Sequence, residues 1–184
     1  MNGNAEYGDA TNLRTERRYY PKGNCSSPSA GRIHTIKYPN GTMDTYTYEY
    51  GTWTPNSDPA QSLFTAGSGI AVRVKITHGT VDSPAGIANK TLQTSTVYDS
   101  RGCRVYLTQA VYTADGYETF AWTANTFDEL RRRISERKSN NELTEYTWNC
   151  CHKTSETLPD GTQYTYVYDD LKRLISKTKV GIGN

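Results

Sequence analysis

The chain has 184 residues, 35% of them hydrophobic, and a mean hydropathy of −0.77, which leaves room for one domain with a thin core. Its 21 basic and 19 acidic residues leave a net charge of +2, too balanced to attract nucleic acid through the whole-molecule field. No apolar run approaches the roughly 18 residues of a membrane span, and the start lacks the basic and apolar regions of a signal peptide.

Fifteen Tyr against three Phe and two Met mean that rings with a polar edge must supply much of the buried area. That composition suits twisted β-structure, where aromatic and β-branched residues pack across strands. Residues 1–50 are expected to form N-terminal hairpins: a turn at Tyr7-Gly8-Asp9, a strand, a loop at 21–31, and a hairpin at Asn40-Gly41 between two alternating runs. Residues 51–69 hold two prolines and three glycines without a stable period, which predicts a loop or insertion. Residues 70–180 read as a hairpin array, with 181–184 a tail and the whole a single structural unit.

Within the array the aromatic-polar pairs Phe127-Asp128, Trp148-Asn149 and Tyr168-Asp169 recur at spacings of 21 and 20 residues (148 − 127, 168 − 148), and Tyr98-Asp99 stands 29 earlier (127 − 98). Each pair is followed by a short polar turn and a strand opened by Arg or Lys, as at Arg104, Arg133, Lys153 and Arg173. A second turn, as at Asp160-Gly161, leads into an alternating aromatic strand. Such a period means hairpins that bury apolar surface on their neighbours. The stretch 126–139 has helix-forming residues, but its register with 168–174 favours turn and strand.

Tyr98-Asp99-Ser100-Arg101-Gly102-Cys103-Arg104 and Tyr164 to Leu174 resemble the Rhs or YD repeat, named for its Tyr-Asp pair. Bacterial Rhs proteins, toxin-complex shell proteins and teneurin-like surface proteins carry this repeat. The resemblance implies an all-β array of antiparallel hairpins in one curved sheet, an open fragment of a shell. It also implies a scaffold role: part of the wall around a C-terminal effector or toxin, in a secreted or cell-surface bacterial protein. At 184 residues the chain is too short to close such a shell, and its end lacks the element that resembles an autocleavage site, so neither encapsulation nor self-cleavage is expected of it alone. The expected partners are adjacent repeats, or other copies joined through sheet edges.

Two tyrosine ladders, Tyr46-Tyr48-Tyr50 and Tyr164-Tyr166-Tyr168, place three rings on one strand face, where they pack across strands or, alternatively, stack on sugar rings. The basic run Arg131-Arg132-Arg133 with Arg137-Lys138 reads as a solvated strand edge. His34, His78 and His152 have no ligand or nucleophile at motif spacing, so no catalytic, metal or cofactor role is expected. Cys25, Cys103, Cys150 and Cys151 lack zinc-ligand spacing and read as small thiols, the adjacent pair facing opposite ways if it lies in a strand.

Overall fold

The computed structural model describes residues 14–23, 27–81 and 87–181; Cys25, the expected turn at Tyr7 and the tail at 182–184 lie outside them. Among the described residues thirteen antiparallel strands form a single sheet. They are β1 (Glu16–Tyr19), β2 (Ile33–Lys37), β3 (Thr42–Thr54), β4 (Leu63–Ala66), β5 (Ala71–Val81), β6 (Ile87–Tyr98) and β7 (Arg104–Thr113). After these come β8 (Gly116–Phe127), β9 (Arg133–Lys138), β10 (Leu143–Trp148), β11 (Lys153–Thr157), β12 (Gln163–Tyr168) and β13 (Leu174–Gly181). The strands follow one another across the sheet in sequence order, except that β5 skips β4 to pair with β3, and β4 pairs with β3 alone. The only described helical turn is a 3-10 turn at Pro59–Gln61, and 126–139 is turn and strand as its register required.

The stretch 51–69, expected to be a loop or insertion, holds strand as well as connecting residues. Gly51 pairs with both Ala66 and Ala71, so β3 runs four residues into this stretch and carries β4 on one edge and β5 on the other. The prolines sit outside the strands, and Asp58 caps the 3-10 turn by accepting the Ala60 amide at 3.1 Å. Two of the three glycines that read as loop punctuation are close approaches: a Cβ on Gly51 would lie 2.2 Å from the Thr65 carbonyl oxygen, and one on Gly69 would lie 2.1 Å from that of Gly51.

This excursion supplies a lid for the sheet centre. The Trp53 ring stands 5.1 Å from that of Tyr106 on β7, although three strand steps separate β3 from β7 within the sheet, roughly 14 Å at the usual spacing. The end of β3 therefore folds over the face and covers Tyr106, which is 8% exposed. Ile36, Met43, Ala71, Val97, Cys103 and Ala110 make up the rest of the buried apolar set among the described residues.

The sheet is open, an array of antiparallel hairpins as expected. Here large apolar side chains stay exposed along the strands, among them Leu92, Phe120, Leu143 and Val167.

Candidate functional site

The repeat pairs close one row of turns, and each aspartate acts as a backbone cap. Asp99 Oδ1 accepts the Arg101 and Cys103 amides at 2.9 and 2.8 Å, and Asp128 Oδ1 accepts those of Leu130 and Arg132, both at 2.9 Å. Asp169 Oδ1 accepts the Arg173 amide at 2.8 Å. The second oxygen takes an arginine: Arg101 Nε at 3.1 Å, Arg132 Nε at 2.7 Å and Arg173 Nε at 2.7 Å. Burial pushes the Asp128 carboxyl up, but the Arg132 amide and guanidinium outweigh it and hold the group below its ordinary value. The Arg173 amide does the same for Asp169.

Three residues past each Asp the backbone is left-handed, at Gly102 (φ 80°), Arg131 (φ 62°) and Lys172 (φ 66°). In every one of these turns the following strand gains one residue against its partner. Tyr98 pairs with Arg104 and Val97 with Tyr106; Phe127 pairs with Arg133 and Thr126 with Ser135; Tyr168 pairs with Leu174 and Val167 with Ser176. The same bulge follows Trp148, and another follows Tyr19 at the first turn. A three-residue loop with a left-handed last residue and a bulge is the geometry this repeat encodes.

At the opposite strand ends a second set of turns uses Asn40, Asn140 and Asp160, each accepting the amide two residues on, from Thr42, Glu142 and Thr162, at 3.1, 3.2 and 2.9 Å. Gly41, Asn141 and Gly161 are left-handed there. The Asn40-Gly41 hairpin therefore has a three-residue loop, closed by the Tyr38 amide on the Thr42 carbonyl, because Pro39 presets its first position.

Arginines tie each turn to the next. Arg101 Nη1 donates to the Asp128 carbonyl at 2.8 Å, and Arg132 Nη1 donates to the Asn149 carbonyl. Between the Asn149 and Asp169 turns His152 stacks on Tyr168 instead, with ring centroids 4.5 Å apart. The basic run is therefore corrected: Arg131 and Arg132 build a turn, and β9, which Arg133 opens, is paired on both sides and is no edge. Arg101→Ala should cost about 1 kcal/mol and lower the thermal midpoint by roughly 2–4 °C in a melt, through loss of the tie to the Asp128 carbonyl.

The tyrosine ladders carry cations. Lys177 Nζ lies 4.1 Å from the Tyr164 ring centroid, and Lys153 Nζ lies 4.4 Å from that of Tyr166 and 5.5 Å from that of Tyr146. Glu156 joins both lysines, with Lys177 at 3.3 Å. Burial pushes its carboxyl up, yet hydrogen bonds from Lys153, Tyr166 and Lys177 bring it down to about 2. In the other ladder Tyr20 donates to the Tyr46 carbonyl at 2.8 Å and meets the Tyr48 ring edge-on, Arg32 lies over Tyr48, and Tyr50 lines a shallow depression beside Lys22 and Arg32.

One polar cluster escaped the sequence. Asp44 and His78 are directly opposite on β3 and β5, and Asp44 accepts from Tyr38 Oη at 2.7 Å while its other oxygen meets His78 Nδ1 at 2.7 Å. The Asp44 hydrogen bond, with burial, pushes the Tyr38 phenol up to about 12. The three line a shallow depression of about 560 Å³ with Pro39, Asn40 and Thr42. The Thr42 hydroxyl donates to Asn40 at 2.8 Å. Only the skip of β4 creates this pairing, and no motif spacing announces it.

No family model matches the chain, and no curated protein matches it. Among solved structures, a chain of one titled "Crystal Structure of TcdB2-TccC3-Cdc42" is similar over 84% of this chain and 11% of that one, at 12% identity and a TM-score of 0.34. This chain thus spans about a tenth of that one's length. Among the described residues no group of three or more His, Cys, Asp or Glu is placed to hold a metal ion, and no helix is long and apolar enough to cross a membrane.

Proposed function

We propose that the chain is a structural repeat scaffold, a stretch of wall in a YD-repeat shell that encloses or presents an effector carried outside these residues, in a secreted or cell-surface bacterial protein. The observation that carries the proposal is the row of turns, each capped by its own Asp or Asn and fastened to the next by Arg101, Arg132 or the His152–Tyr168 stack. Here the chemistry-bearing side chains are spent on holding hairpins in register. Growth by further hairpins also suits β13, where Leu174, Ile175 and Val180 are exposed and the Arg173 side chain is 72% exposed. Adjacent repeats or a second copy are the partners this edge fits.

Sedimentation velocity over a concentration series tests the open edges. Association that grows with concentration is expected, and a monodisperse monomer throughout would contradict it. A glycan array addresses carbohydrate binding through the ladders. No signal is expected, because Lys177 and Lys153 already cover Tyr164 and Tyr166. Binding that Tyr166→Ala abolishes would favour an adhesion module instead.

A further inference from the structure

The turn at Asn149 is one residue shorter than its counterparts. Asp99, Asp128 and Asp169 donate their own amides to the carbonyl four residues on, whereas Asn149 donates to that of His152, three on. The shortened turn has Cys150 and Cys151 at its centre, both exposed, with their Sγ atoms 2.9 Å apart. In a strand adjacent side chains would diverge. Here Asn149 Oδ1 accepts the Cys151 and His152 amides at 2.9 and 2.7 Å and fixes a bend that brings both sulfurs to one side.

We propose that Cys150 and Cys151 form a redox-active vicinal dithiol, which closes to a disulfide by exchange with a small-molecule disulfide of the glutathione class. One thiolate attacks a sulfur of that disulfide, forms a mixed disulfide and expels one small thiolate. The neighbouring thiol then gives up its proton and displaces the second small thiol, so two protein thiols are oxidised and one disulfide is reduced to two thiols. The Cys151 sulfur pushes the Cys150 thiol above its ordinary value, against the pull of Lys172 and Arg132.

Adjacent Cα atoms lie about 3.8 Å apart across a trans peptide, short of the roughly 4.4–6.8 Å of ordinary disulfides. A ring closed between neighbours is therefore easily reduced, which marks a reversible couple and not a permanent staple. It sits at the joint where the arginine tie is replaced by the His152–Tyr168 stack.

The test equilibrates the full chain in reduced and oxidised glutathione buffers, blocks free thiols, digests with trypsin and weighs the peptide Ser139–Lys153, which contains Cys150 and Cys151 and no other cysteine. Loss of two hydrogens from that peptide, reversed by reductant, is expected. Cys150→Ser and Cys151→Ser should each stop at a mixed glutathione disulfide. As a separate readout, phenylarsine oxide should bridge the pair at one per chain, and either serine variant should lose that adduct. A peptide that stays a dithiol across the series, or yields only mixed disulfides in the unsubstituted chain, would overturn the proposal.

Discussion

Asp99→Ala is expected to destabilise the chain by about 2 kcal/mol, a fall of roughly 4–8 °C in the thermal midpoint. Its carboxylate is 17% exposed and accepts two turn amides as well as Arg101, so alanine leaves partly buried N–H groups without acceptors. Asp99→Asn should cost less than half as much. Asn149, in a turn one residue shorter, already accepts two turn amides with a neutral oxygen. Denaturant melts of the two variants separate the cap from the ion pair. Equal losses would mean that the charge, and not the cap, holds the turn.

Acid should unfold the chain through Glu156 more than through any other carboxylate described. The group titrates at about 2 when folded against 4.5 as its ordinary value, so the unfolded chain binds the proton more readily. The stability it contributes is complete above pH 4.5 and is lost as pH falls from there toward 2, on the order of 3 kcal/mol in all. Glu156→Gln should remove that contribution at neutral pH and flatten the acid limb of stability against pH. An unchanged acid limb in the variant would show that Lys153 and Lys177 gain nothing from Glu156.

Much of this was legible because the repeat is local. The Tyr-Asp pairs, the Arg that follows and the Asp160-Gly161 turn all act within a few residues of one another, so their register at 98–174 could be read by eye. The wider spacing before Phe127 has a plain cause: β7 and β8 are 10 and 12 residues long, against 6 each for β9 and β10. What stayed hidden depends on contacts distant in sequence. Gly51 and Gly69 look like loop residues until the β4 backbone is laid against them. His78 looks isolated until β5 skips β4 and sets it opposite Asp44. The ladders were legible as one-sided, but the cations over Tyr164 and Tyr166 come from β11 and β13 and that over Tyr48 from Arg32. Cys150 and Cys151 would face opposite ways only in a strand, and the bend of the shortened turn, which spacing alone does not reveal, brings their sulfurs together.

The central claim is that the Tyr-Asp pairs are fasteners of a scaffold, and hydrogen exchange at single amides tests it most directly. The Cys103, Arg132, His152 and Arg173 amides lie at the ends of turns, where exchange is ordinarily fast, yet each is bonded to the preceding Asp or Asn side chain. All four should be protected at levels near those of the flanking strands, and Asp99→Ala should remove protection at Cys103 while sparing Arg173. Exchange at the rate of an open loop at all four sites would contradict the fastener role and, with it, the scaffold built upon it.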